Sequence, residues 1–293
     1  MATKNPNELF QQALAHHQSG RWSEAAAIYK YLLNILPNNP GILCELGTLS
    51  LKQGNYTQAL KFFSDTLALS PNQPTVLINR GVTLTKLKRF DDAIADYQKA
   101  IAQGYQSALV YNNLGLAFQE SNQQQQALLN YNIAIELKPD YIDAYFHQGN
   151  VLEKLNRFDD ALVSYQHILA IDPNSADAYN NCANVLMVLN RSEEALACYE
   201  QAIAIKPVFA EAFNNKGVLL ETLNNPNEAL IAFETAIALK PNYAEAYFNR
   251  GKVLKDMNHL AEALLSYGNY SGRKREAEGI ERIPVLKFVG FPD

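Results

Sequence analysis

Cysteine, histidine and long apolar runs are all scarce in this chain of 293 residues. The three cysteines, Cys44, Cys182 and Cys198, are scattered without a C-x-x-C pair, which argues against a disulfide framework and a thiolate zinc site. Five histidines occur, and the vicinal pair His16–His17 points to different faces of any helix, a poor metal site. His147, His167 and His259 lie far from that pair and read as surface or packing residues. No stretch reaches eighteen uninterrupted apolar residues, so a spanning helix is not expected. The start, Met1 to Gln12, lacks the apolar segment of a signal peptide. Basic residues are outnumbered, 25 against 30, and the net charge of −5 excludes nucleic-acid binding through broad phosphate neutralisation. G-x-S-x-G, H-E-x-x-H and a phosphate-cradling glycine loop are missing, so no catalytic group, metal or cofactor is expected. Hydrophobic residues make up 48% and charged residues 19%, enough apolar material to exclude general disorder. Together these features predict a soluble, cytoplasmic protein.

Length alone suggests about two domains, but an internal period overrides it. Pro37, Pro71, Pro139, Pro173, Pro207 and Pro241 fall in one frame of 34 residues, and the vacant place at Tyr105 follows Gly104, another turn residue. Gly47, Gly81, Gly115, Gly149, Ala183, Gly217 and Gly251 keep the same period. So do the alanines from Ala25 to Ala263, each followed four residues later by an aromatic, Tyr29 through Tyr267. Within 142–175, IDAYFHQGNVLEKL reads as one helix, NRFDD as a turn with acidic helix-start residues, and ALVSYQHILAI as a second helix. Glycine disfavours a helix by about 1 kcal/mol relative to alanine. Its recurrence at the eighth residue therefore implies close approach of the paired helix, with the aromatic filling the space beside it.

These residues resemble the tetratricopeptide repeat, a helix–turn–helix unit of this length. The frame gives eight units, beginning at residues 6, 40, 74, 108, 142, 176, 210 and 244, as one array over 6–277 between an extension, 1–5, and a non-repeat tail, 278–293. The resemblance implies an all-α, right-handed superhelical solenoid, with first helices lining a concave groove and second helices outside. The array is irregular at its end: Arg275 stands where the turn proline is due, and Ser271 to Arg282 is a partial candidate for a capping helix, weakened by Gly272 and Gly279.

The sixth residues of the units are Gln11, Glu45, Asn79, Asn113, His147, Asn181, Asn215 and Asn249. Asn112, Asn180 and Asn214 stand one place earlier, and Asn150 and Asn184 three places later. A primary amide matches both the N–H and the C=O of a peptide unit. Repeated once per unit, such amides would read a backbone and ignore its side chains. The ten asparagines are thus the candidate contacts for a protein or peptide partner in the groove, and that reading expects Asn113, Asn181, Asn215 and Asn249 to be solvated in the free protein. The competing reading has them satisfying neighbouring helices. The strings Ala178-Tyr179-Asn180-Asn181 and Ala212-Phe213-Asn214-Asn215 resemble repeats of the O-GlcNAc transferase superhelix, which implies an asparagine ladder holding extended peptides. The leading expectation is a non-enzymatic interaction scaffold. The alternative is the substrate-binding part of such a glycosyltransferase, although residues 278–293 are too few for a catalytic domain.

Two further rows bear on the partner. The resemblance also implies what a clamp for acidic chaperone tails would need: lysine or arginine at the second and the fifth or sixth residues. The second residues contain none, and Asp143, Asp177, Glu211 and Glu245 are acidic. That acidic row would either attract a basic segment or simply complement helix dipoles. The glutamine run Gln123 to Gln126 reads as a solvated turn.

Overall fold

The computed structural model describes residues 5–277. The expected extension and tail, apart from Asn5, lie outside the described residues. Sixteen helices occur among the described residues. The first helices of the units are α1 (Pro6–Gln18), α3 (Pro40–Lys52), α5 (Pro74–Lys86), α7 (Ala108–Glu120), α9 (Ile142–Lys154), α11 (Ala176–Val188), α13 (Ala210–Thr222) and α15 (Ala244–Asp256). The second helices are α2 (Trp22–Ile35), α4 (Tyr56–Leu69), α6 (Phe90–Ala102), α8 (Gln124–Leu137), α10 (Phe158–Ile171), α12 (Ser192–Ile205), α14 (Pro226–Leu239) and α16 (Leu260–Ala277). Every first helix therefore begins on the first residue of its repeat.

Local chemistry fixes those boundaries. Proline opens α1, α3 and α5, where its missing N–H costs nothing. The side chains of Asn39 and Ser175 cap α3 and α11 by accepting from the backbone N–H of Ile42 and Ala178. Between the two helices of each repeat the fifteenth residue is left-handed: Gly20, Gly54, Lys88, Asn122, Asn156, Asn190, Asn224 and Asn258. The next N–H then reaches back five residues, as from Arg89 to the Leu84 carbonyl at 2.9 Å. Lys88, at φ 59°, is the costly member of the row. Lys88→Gly should raise stability by about 0.5–1 kcal/mol in urea unfolding, the gain left after glycine's extra chain entropy. At Tyr105, where proline is absent, Gly104 turns at φ 89° and ends α6.

The chain divides between Asn156 and Arg157 into two compact units. The first holds the hairpins α1–α2 through α7–α8, with α9 against α8; the second holds α10 against α11, followed by the hairpins α11–α12, α13–α14 and α15–α16. Both are all-α hairpin stacks, as the period implies. Gly47, Gly81, Gly115, Gly217 and Gly251, at the eighth residue, each face the aromatic of their own second helix: a Cβ on Gly47 would stand 2.6 Å from Phe63 Cε1, and one on Gly217 2.6 Å from Phe233 Cε1. Phe63, Tyr97, Tyr131, Tyr199 and Phe233 are accordingly among the most buried large side chains. First helices also touch one another across successive repeats, α3 on α5, α5 on α7, α7 on α9, α11 on α13 and α13 on α15. Within each unit they form the inner layer.

The end of the array departs from the expectation. Instead of breaking before a capping helix at Ser271, α16 runs on to Ala277 through Gly268 and Gly272. Without the turn proline, nothing in the local sequence stops it. Residues 278–282 of the expected cap lie outside the described residues.

Candidate functional site

The ten asparagines all lie on first helices: Asn79 on α5, Asn112 and Asn113 on α7, Asn150 on α9, Asn180, Asn181 and Asn184 on α11, Asn214 and Asn215 on α13, and Asn249 on α15. In the second unit they find each other. Asn249 Nδ2 donates to Asn214 Oδ1 at 3.0 Å, and Asn215 Nδ2 donates to Asn180 Oδ1 at 3.2 Å and Asn184 Oδ1 at 3.1 Å. Tyr199, the core tyrosine of the sixth repeat, donates its hydroxyl to the same Asn184 oxygen at 2.7 Å. Within α11 and α13 the contacts are long: Asn180 Nδ2 to Asn181 Oδ1 is 3.5 Å and Asn214 Nδ2 to Asn215 Oδ1 is 3.4 Å. Asn180 is 8% exposed and Asn214 fully buried. Of the asparagines expected to be solvated in the free protein, Asn181, Asn215 and Asn249 are half-buried in this unit, and Asn215 and Asn249 donate to neighbouring first helices. Tight spacing of the inner layer puts the sixth residue of one repeat within reach of the fifth residue of the repeat before it.

In the first unit the same positions behave differently. The side chains of Asn79 and Asn113, both half-buried, have no hydrogen-bond partner among the described residues. Asn112 is 5% exposed, and its Oδ1 is buried without a donor. The residue in register to supply one is His147, whose ring instead stacks on Tyr131 with centroids 5.5 Å apart and planes 23° apart. Burial lowers the His147 pKa, against the opposing pull of the Asp143 and Glu120 carboxylates. The imidazole is thus neutral at pH 7, with one donor and one acceptor. Asn150 is exposed. Glu45, at the sixth residue of the second repeat, meets His17 Nδ1 at 3.1 Å, so His17 is a packing partner within the hairpin stack.

The acidic row is partly compensated. Lys206 stands 3.7 Å from Asp177 and Lys240 2.6 Å from Glu211. The Lys240 hydrogen bond holds the Glu211 carboxyl below its ordinary range. These lysines also lie over the rings of Phe209 and Tyr243, as Lys138 does over Tyr141. The signal was present in the sequence as Lys-Pro-x-aromatic at 138, 206 and 240, one repeat end after another.

A second polar row escaped the sequence reading. The seventh residue of a repeat reaches the second helix of the repeat before it, sixteen residues back: Gln148 to Asn132 at 2.8 Å, Lys216 to Glu200 at 3.0 Å, Arg250 to Glu234 at 3.1 Å. Arg80 makes the same reach to Ser64 at 3.5 Å and also holds Asp96 of its own hairpin through two bonds of 2.7 Å. These pairs bolt first helices to second helices.

The cysteine thiols carry no nucleophilic signature. Burial raises the pKa of all three, that of Cys182 to about 12. Titration of the native protein with a thiol reagent at pH 8 should therefore be slow at every cysteine and complete only on unfolding. Among the described residues no group of three or more His, Cys, Asp or Glu is placed to hold a metal ion, and no helix is long and apolar enough to cross a membrane.

Models of the tetratricopeptide repeat match residues 16–77, 74–103, 119–156, 149–190, 176–209 and 222–258. No curated protein sequence matches the chain. Among solved structures it is similar to YrrB, described as a TPR protein with an unusual peptide-binding site, at 22% identity and TM-score 0.55 over 64% of this chain and 97% of that one. It is also similar to a tetratricopeptide repeat protein of Parabacteroides merdae, at 17% identity and TM-score 0.64 over 85% and 98%. The APC/C hetero-tetramer Cut9–Hcn1 gives 17% identity and TM-score 0.62 over 86% and 49%. With sixteen helices in one 34-residue frame among the described residues and repeat models covering most of its length, the chain belongs to the tetratricopeptide repeat family.

Proposed function

We propose that this chain is a non-enzymatic interaction scaffold that holds an extended peptide or partner segment along the inner face of its first helices. The carrying observation is the row of carboxamides at the fifth, sixth and ninth residues, at least one in every repeat from the third to the eighth. An inner layer of amides offers alternating donors and acceptors at repeat spacing, which suits a main chain better than any single side chain. The peptide-binding site described for YrrB, similar in fold, supports a peptide as the ligand class.

The test is selection of random twelve-residue peptides by mRNA display against the immobilised full chain. Enriched peptides should bind in solution with one site per chain and compete with one another. Failure to enrich any sequence above bare matrix would overturn the reading. The same preparation, incubated with sugar nucleotides and those peptides, should transfer no sugar. Transfer by homogeneous protein, abolished by denaturation, would replace the scaffold reading with an enzymatic one.

A further inference from the structure

We propose that a second copy of this chain docks on α16, the two helices running antiparallel with the leucines of each over the glycines of the other. Peptide binding on the first helices is not needed for this docking, which uses a second helix of the last repeat. The residue after the repeat's conserved-frame alanine is elsewhere a stacking residue. Leu60 and Leu128 pack into the core of the first unit, and Leu196 and Leu230 pack against the core around Phe233 and Val253 in the second. Leu264 holds the same place on α16 yet is 71% exposed, and Leu265 beside it is 69% exposed. Two adjacent leucines in water supply the driving force for association.

The face is not shaped to receive another repeat. Gly268 stands where Ser64, Asn132, Glu200 and Glu234 take the side chain arriving from the next repeat. Ser271 stands where every earlier repeat has leucine or isoleucine. Gly268 and Gly272 both weaken the helix, and a Cβ on either would meet nothing within 4 Å among the described residues. The chain's own packing thus gives no reason for them, unlike Gly217 against Phe233. A helix of another molecule, pressed close, gives one.

The occupant follows from the order of the residues. Ala261, Leu265, Gly268 and Gly272 are spaced by four, three and four residues and so form one line along the helix. The leucine falls in the first half of that line and both glycines in the second, which makes it self-complementary. Antiparallel pairing about a two-fold axis between residues 266 and 267 sets Leu265 against Gly268 and Ala261 against Gly272, each contact made twice. Parallel pairing would waste the fit, leucine on leucine and glycine on glycine. Head-to-tail stacking of α16 on another copy's α1 is disfavoured too. Ile42, the third residue of its repeat, packs into the core of the repeat before it, and the third residues of all later repeats are also apolar and at most 2% exposed. In the first repeat that place is Glu8, which is exposed. The matched line is only about 17 Å long at 1.5 Å per residue, too short for the roughly 1,200–2,000 Å² of a standard interface. The dimer is therefore weak and reversible, with a Kd of roughly 10–100 µM.

Sedimentation equilibrium of the full chain decides it. The weight-average mass should rise from one chain toward two between about 1 and about 500 µM, a span that brackets such a Kd. Leu265→Glu and Gly268→Leu should each weaken dimerisation about tenfold or more, the first by burying a charge and the second by filling the close approach. Melting of either variant at the dilute end should not come earlier than that of the parent, because neither position packs into the chain's own core. A mass that stays at one chain, or dimers that either variant leaves intact, overturns the inference. A mass that grows past two chains means head-to-tail stacking and overturns it as well. A monomeric parent whose Leu265→Glu variant melts several degrees early would show the face covered by the chain's own residues 278–293, with no second copy docked there.

Discussion

Gly217→Val should lower the unfolding free energy of the second unit by about 3 kcal/mol, near the top of the range for overpacking a filled core. A single Cβ at this position already stands 2.6 Å from Cε1 and 2.9 Å from both Cδ1 and Cζ of Phe233. Phe233 is fully buried, so its ring has no solvent side into which to retreat. Valine adds two further methyl groups on a stiff χ1. The gain in helix propensity over glycine is under 1 kcal/mol and does not offset this. Gly217→Ala is the control. The sixth repeat carries Ala183 opposite the buried Tyr199, and the first carries Ala13 opposite Tyr29, so the hairpin can open enough for one methyl. That variant should stay within about 1 kcal/mol of the parent, propensity offsetting strain. Urea unfolding measures both. Hydrogen exchange in the valine variant should rise first in α13 and α14, because repeats couple to their neighbours. A valine variant as stable as the parent would mean that the glycine row has no packing role.

The parts of the fold that were legible in the sequence are those set by contacts at fixed short separation. Proline, the left-handed fifteenth residue and the glycine–aromatic pair all act within one repeat, so each leaves a mark at a constant spacing. The frame therefore placed every first helix on its opening residue, and Gly104 was readable as the substitute turn. The left-handed row from Gly20 to Asn258 was equally visible as Gly or Asn at 34-residue steps, with Lys88 the exception, and it went unread. What the sequence could not supply was lateral distance. Asn215 and Asn180 are 35 residues apart, and nothing in either repeat says whether their amides face each other or water. That depends on how closely α11 and α13 pack, a property of the stack. The same ignorance hid the difference between Asn112 and Asn214, which share a repeat position and differ only in whether histidine or asparagine follows in the next repeat. At the end of the array, where Gly272 and Gly279 were expected to weaken a separate capping helix, α16 runs on through Gly268 and Gly272, because glycines without a proline cost propensity and stop nothing.

The amide chain of the second unit gives the other large effect. Asn214→Ala should destabilise by about 2 kcal/mol, within the range for leaving a buried partner unsatisfied. Asn214 is fully buried; its Oδ1 accepts from Asn249 at 3.0 Å, and its Nδ2 lies 3.4 Å from Asn215 Oδ1. Removing it orphans the Asn249 donor and leaves a small void. Asn249→Ala should cost less, about 1 kcal/mol, because Asn249 is half-buried and water can reach the Asn214 oxygen it leaves. The informative quantity is the double mutant. If the 3.0 Å bond is a working link between α13 and α15, the two losses overlap, and Asn214→Ala with Asn249→Ala should fall short of their sum by about 0.5–1.5 kcal/mol. Strict additivity in urea unfolding would show that the two amides stand near each other without holding the repeats together, and the second-unit row would again be open to a ligand.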